Sequence, residues 1–150
     1  MTLKKIILAS DHAGYHLKDY IKKYLDSLSL ENVVEDLGTY SIDSVDYPDV
    51  AVLLAKKMEN EIESLGVLIC GSGIGISIAA NRFSHIRAAL CCTEEMAILA
   101  KEHNNANVLA LGSRLIEQEE AVKILNNFLN IKFESGRHLK RVKKLEEIGL

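Results

Sequence analysis

Five short apolar runs punctuate the chain: KKIILA (4–9), VVEDLG (33–38), GVLIC (66–70), IRAALC (86–91) and NVLALG (107–112). Each ends near Gly, Ser, Asp or a polar turn, the pattern of buried strands. Helical spacing fills the intervals. Leu17, Ile21, Tyr24, Leu25 and Leu28 form one stripe; Ala51, Leu54, Ala55, Met58 and Ile62 form another behind Pro48, a residue suited to a first helical turn. ISIAAN after the third run reads as a short helix. Thr93 with Glu94 and Glu95 marks a helix start before Met96, Leu99 and Ala100, and Ala121, Ile124, Leu125, Phe128 and Leu129 make a further stripe. A last helix is expected at about 138–148. Strands alternating with helices at this interval demand right-handed crossovers, hence a mostly parallel sheet with both faces covered. The expected fold is a three-layer α/β/α sandwich with a five-stranded, Rossmann-like parallel sheet and a C-terminal helix, in one domain spanning 1–150. Such sheets bind ligands beyond the carboxyl ends of their strands, so the loops there are where chemistry is expected.

Composition narrows the function classes. A net charge of −3 argues against bulk electrostatic coating of nucleic acid, so any phosphate must be met locally. No apolar stretch approaches the length of a membrane span, and the opening residues lack the pattern of a secretory leader; a cytoplasmic protein is expected, with neither membrane nor nucleic-acid partners. Cys70, Cys91 and Cys92 form an odd set with no C-x-x-C pair and no zinc-gripping spacing. They point to a reducing compartment, with no metal or other cofactor expected. Cys91 and Cys92 read as small buried hydrophobes.

The strand ends carry the candidate chemistry. Ser10-Asp11-His12-Ala13-Gly14 places a carboxylate and an imidazole side by side after the first strand, where both are able to do acid or base work and where Asp11 also suits a helix cap. The third strand runs into Cys70-Gly71-Ser72-Gly73-Ile74-Gly75. Three glycines in five residues let backbone N–H groups converge on an anion at a helix start. The spacing is G-x-G-x-G, which is neither the dinucleotide fingerprint nor a P-loop. A thiol at that position is a usable base or nucleophile, although a buried structural cysteine would also fit. His103-Asn104-Asn105-Ala106-Asn107 gathers an imidazole and three amides suited to a polyhydroxy ligand, and Gly112-Ser113-Arg114 closes the fifth strand. Finally Gly136–Lys144 packs five basic residues and His138 into nine, with Arg137 and Arg141 at i,i+4, a spacing suited to a phosphate dianion as well as to a solvated helix face. Such a tail is also able to reach the active edge of a dimer mate.

Taken in order, ASDHAG, DYPD, CGSGIGISIAANRF, IRAAL, HNNANVLALGSR and SGRHLKRV closely resemble the B-type ribose-5-phosphate isomerases, a family that also holds allose-6-phosphate and galactose-6-phosphate isomerases. The resemblance runs from Lys5 to about Arg141. It implies a homodimer, or a dimer of dimers, that interconverts ribose 5-phosphate and ribulose 5-phosphate in the pentose phosphate pathway without metal or nucleotide. By that resemblance Cys70 is the base that moves the C2 proton to C1, the amides of Gly71, Ser72, Gly73, Ile74 and Gly75 hold the enediolate, and the Ser72 hydroxyl shuttles a proton. His103 with Asp11 opens the furanose ring. His12, Tyr47 and Asn104 orient sugar hydroxyls, while Arg137 and Arg141, helped by His138 and Arg114, hold the phosphate, partly across subunits.

Some relatives replace the cysteine with a glutamate just past the glycine loop. Here Ile76 and Ser77 stand there, so this chain is of the cysteine type; relatives commonly carry Asp where this chain has Asn105. Six-carbon sugar phosphates stay open as alternative substrates. A non-catalytic α/β module binding a phosphate ligand at the glycine turn is the alternative from another class, and it would need neither Cys70 nor His103.

Overall fold

The computed structural model describes residues 4–30 and 33–149. Five parallel strands, β1 (Ile6–Ser10), β2 (Val34–Asp36), β3 (Leu65–Cys70), β4 (Ala88–Leu90) and β5 (Val108–Gly112), form one sheet in the order β2-β1-β3-β5-β4. Six α-helices accompany them: α1 (Tyr15–Ser27), α2 (Tyr47–Glu59), α3 (Ile74–Ala80), α4 (Glu94–Asn104), α5 (Gln118–Asn130) and α6 (Leu139–Glu147). The expected three-layer sandwich is therefore the observed one. The strand order reverses between β1 and β3, which places the ligand crevice of such folds beside Asp11 and Cys70.

Alternation along the strands divides the core in two. Ile6, Leu8, Val67, Ile69, Leu109 and Leu111 face α1, α4 and α5; Ile7, Ala9, Leu68, Cys70, Val108 and Ala110 face α2 and α3. A strand buried on both faces is apolar at every position, which is why β1, β3 and β5 read as continuous runs. Thr93 caps α4 by accepting from the Met96 N–H, and Glu94 and Glu95 occupy its first turn. Among the described residues no helix is long and apolar enough to cross a membrane.

Four helical positions differ from the sequence expectation. Leu28 and Ile62 lie past the ends of α1 and α2, where the periodic stripe no longer points at the sheet, and both are exposed. On α4 the buried face is Ala97, Ala100 and Lys101, whereas Met96 and Leu99 face outward. Small side chains bring this helix close, and the aliphatic stem of a lysine fills the gap. Cys92 is exposed, unlike Cys91, because β4 has already ended at Leu90.

Lys101 is unusual. It is 5% exposed, its Nζ donates to the Ala106 carbonyl at 3.0 Å, and it stands 4.9 Å from the centre of the Phe128 ring. Burial, with added repulsion from Lys4 and Arg87, pulls its pKa down to about 8. In the unfolded chain the amine keeps its proton to higher pH, so between the two values the unfolded state binds more protons and native stability rises with pH. Lys101→Met is therefore expected to gain most over the parent protein near neutrality. Denaturant titrations across the pH range should show that gain shrinking as pH climbs through 8, and a constant difference would contradict it.

Candidate active site

β3 delivers Cys70 to the carboxyl edge of the sheet, and the chain then turns through Gly71-Ser72-Gly73 into α3. The turn folds back on the sulfur: the Gly73 N–H donates to Cys70 Sγ at 3.2 Å, and the Ile74 N–H donates to Ser72 Oγ at 3.1 Å. Gly73 takes φ of 75°, a left-handed conformation that suits glycine, and a methyl group there would meet Leu90 Cδ1 at 2.6 Å. Across from it Gly112 admits the backbone of the turn, since a Cβ would stand 2.5 Å from the Ser72 carbonyl oxygen. Cys70 itself is 4% exposed. The arrangement offers a sulfur and neighbouring main-chain N–H groups to one small anion.

Other expected residues join this edge. Asp11 follows β1, is buried, and accepts from the Gly14 N–H at 3.1 Å, so one carboxylate oxygen caps the 3-10 turn His12–Gly14. His12 Nδ1 lies 3.2 Å from both the nitrogen and the oxygen of Val45, which anchors the ring to the segment before α2 in either tautomer. Tyr47, at the start of α2, lays its ring over Gly75, and Arg114 lays its guanidinium over Gly71. Ser113, which carried no expectation, ties the edge together: its hydroxyl donates to the Ala13 carbonyl at 2.8 Å and its N–H to the Cys70 carbonyl at 2.9 Å.

The remaining expected residues sit elsewhere. α4 starts beyond the carboxyl end of β4 and returns across the sheet, so His103 and Asn104 emerge at the opposite, amino edge, just before β5 begins. α5 makes the same return, and the segment after it is fastened there by the Glu134 N–H donating to the Glu102 carbonyl at 3.1 Å. Arg137 and His138 form a 3-10 turn and Arg141 lies in the first turn of α6. Within one chain, then, the structure gathers Asp11, His12, Tyr47, Cys70, the glycine turn and Arg114 at one edge, and His103, Asn104, Arg137, His138 and Arg141 at the other.

At the amino edge the His103 and His138 rings are stacked, 4.2 Å between centres and 12° from parallel. His138 is buried, whereas Arg137 and Arg141 are exposed and form no ion pair among the described residues. Desolvation, together with the neighbouring His103, Arg137 and Arg141, holds the His138 imidazole below its ordinary pKa, against the opposing pull of Glu134. Glu134 was not singled out by sequence; its one signal is its place four residues before His138. Of the three asparagines, Asn107 is engaged with the backbone of Arg87 and His85, and Asn105 caps α4 at φ of 46°. Asn104 alone is exposed.

The model of a family described as Ribose/Galactose Isomerase matches residues 6–145. The chain belongs to that family. The ribose-5-phosphate isomerase B of Escherichia coli is 42% identical over 146 residues, covering 97% of each chain. The crystal structure of a ribose 5-phosphate isomerase from Thermotoga maritima superposes with a TM-score of 0.93 at 48% identity, over 98% of this chain and 100% of that one. A ribose-5-phosphate isomerase B from Mycoplasma genitalium, solved with bound ribulose-5-phosphate, gives 0.91 at 42% identity over 98% and 97%.

Two substitutions test the local geometry of the family fold in this chain. Gly73→Ala combines a left-handed backbone with a steric clash and should lower stability by about 2–4 kcal/mol in chemical denaturation. Ser135 holds φ of 62° and ψ of −121°, an uncommon region for a residue with a side chain. Ser135→Gly is expected to stabilise the protein by about 1 kcal/mol, and an unchanged or lowered melting temperature would refute that strain.

Proposed function

We propose that the protein is an aldose–ketose isomerase that interconverts D-ribose 5-phosphate and D-ribulose 5-phosphate through an enediolate. The observation that carries this reading is the Cys70 sulfur under the Gly73 N–H at the switch point of the sheet. The family relationship, and the bound ribulose-5-phosphate of the Mycoplasma genitalium relative, supply the substrate.

In this mechanism the open aldehyde form of the sugar lies across the glycine turn. Cys70 removes the C2 proton, the electron pair forms the C1–C2 double bond, and the charge gathers on the carbonyl oxygen facing the main-chain N–H groups of residues 71–75. The proton returns from Cys70 to C1 while Ser72 passes a proton between the two hydroxyl oxygens, giving the ketose. His12, Tyr47 and Asn104 orient hydroxyls. Ring opening precedes these steps and belongs to His103, assisted by Asp11; phosphate falls to Arg137 and Arg141, with Arg114 and His138 beside them.

The two sets of residues lie at opposite edges of one sheet, and this supports a homodimer with shared sites. A two-fold axis perpendicular to the strands lays the carboxyl edge of one copy beside the amino edge of the other, and does so twice. The C-terminal segment carrying Arg137 and Arg141 then serves the partner's Cys70. Exposed Ile74 and Ile78 on α3, with Leu53 on α2, offer apolar surface for such a contact.

Ketopentose formation from ribose 5-phosphate in the presence of chelator tests the activity, and complementation tests its assembly. Cys70→Ala and His103→Asn are each expected to be inactive alone. After mixing and subunit exchange, half of the dimers pair one copy of each, and each of these holds one intact site, so activity should recover to about one quarter of the parent value. Exchange without recovery would exclude shared sites; an inactive parent protein would exclude the pentose substrate.

A further inference from the structure

Ser113 makes a contact that no strand pairing requires. In the order β2-β1-β3-β5-β4, β1 and β5 lie on either side of β3, and two strand spacings set them roughly 9–10 Å apart. A serine side chain covers only a small part of that gap. Yet the Ser113 hydroxyl, just past β5, donates to the carbonyl of Ala13, just past β1, at 2.8 Å. The two segments therefore lean together over the end of β3, and the Ser113 N–H marks the crossing by donating to the Cys70 carbonyl at 2.9 Å.

Ala13 lies in the 3-10 turn His12–Gly14. That turn also rests on β3: the Asp11 N–H donates to the Ile69 carbonyl at 3.1 Å, and a Cβ on Gly14 would stand 2.6 Å from the same oxygen. Among the described residues, however, the Ser113 hydroxyl makes the one hydrogen bond between the turn and the segment after β5. The Asp11 carboxylate shares in it, because Oδ1 accepts from the N–H of Gly14, the residue next to Ala13.

From this crossing we infer that Ser113 is a positioning residue of the isomerase: its hydroxyl straps the turn bearing Asp11 and His12 to the end of β5, and so fixes that turn against Cys70. Ser113 itself touches no reacting atom. The inference rests on the isomerase reading, in which Asp11 assists ring opening and His12 orients hydroxyls. Both then act from the strapped turn while Cys70 acts from the strand beside it, and one sugar must meet both sets together. Misplacement of reacting groups by an ångström is worth up to about a hundredfold in rate. Phosphate, held by Arg137 and Arg141 at the other edge, is untouched by such a shift, so loss of the strap falls on turnover and not on ground-state binding.

The test is steady-state ribose 5-phosphate isomerisation by Ser113→Ala, which removes the hydroxyl and keeps the main-chain bond to Cys70. Its kcat should fall at least about tenfold with KM within about twofold of the parent value, and Ser113→Thr, which restores a hydroxyl, should return to within about threefold of parent turnover. Tyr24→Phe is the control: the Tyr24 hydroxyl donates to Asn126 Oδ1 at 2.9 Å between α1 and α5, so it removes a hydrogen bond of similar reach away from the site. It should cost comparable stability in denaturant titration and leave kcat unchanged. Amide exchange followed by NMR needs no substrate, and the Gly14 N–H should exchange at least about tenfold faster in Ser113→Ala than in Tyr24→Phe. Parent-like turnover in Ser113→Ala, a rise in KM in place of the fall in kcat, or a Thr variant as slow as the Ala one would overturn the positioning role. Equal Gly14 exchange in the two destabilised variants would overturn the strap itself. An inactive parent protein would overturn the isomerase reading and the catalytic consequence with it, while the exchange comparison still decides the strap.

Discussion

Cys70 and Gly112 are partners on the last rung between β3 and β5, and the Ser113 N–H donates to the Cys70 carbonyl just beyond it. That rung fixes the site. It lets the backbone of the glycine turn lie against Gly112 with no room for a side chain between them, and the Arg114 N–H then donates to the Gly71 carbonyl. With the turn held this way, the Gly73 N–H lies against the sulfur. Slipping the pairing by one residue would swap the faces of the sheet, sending Cys70 toward α1 and α5 and removing the thiol from the crevice.

The second organising constraint is the polarity of a parallel sheet. Each strand runs toward the carboxyl edge and each crossover helix must run back, so whatever stands at the end of a helix is delivered to the far side. His103 closes α4, and Arg137 and His138 follow α5, which is why no rearrangement of side chains within one chain brings them to Cys70. Reactive groups at strand ends and reactive groups at helix ends are separated by about the length of an eleven-residue helix, on the order of 16 Å.

Most of the architecture was legible in the sequence because doubly buried strands leave unbroken apolar runs and because Thr93 and Pro48 mark helix starts by known chemistry. The glycine turn with Cys70 was legible for the same reason: its spacing encodes a backbone conformation. What escaped was whatever depends on approach between distant segments. Nothing in the run of the chain says that alanines will seat α4 so closely that Lys101 is buried while Met96 and Leu99 face out. Nothing local pairs His103 with His138, 35 positions away, or shows that Asn107 is occupied by backbone and Asn105 by a left-handed cap. The i,i+4 spacing of Arg137 and Arg141 suits an anion as well as a solvated helix face, and it carries no information on which edge they reach.

The division of the functional groups between two edges also bears on how such a protein diversifies. Asp11, His12, Tyr47, Cys70 and Arg114 stand at the carboxyl edge and His103, Arg137, His138 and Arg141 at the amino edge, so a change in one set lies away from the packing of the other. On the shared-site reading proposed above, one gene copy that kept only the thiol edge and another that kept only the histidine edge would still meet at one working site. A two-subunit enzyme with divided labour is thus a short evolutionary step from a sheet whose chemistry is split end from end.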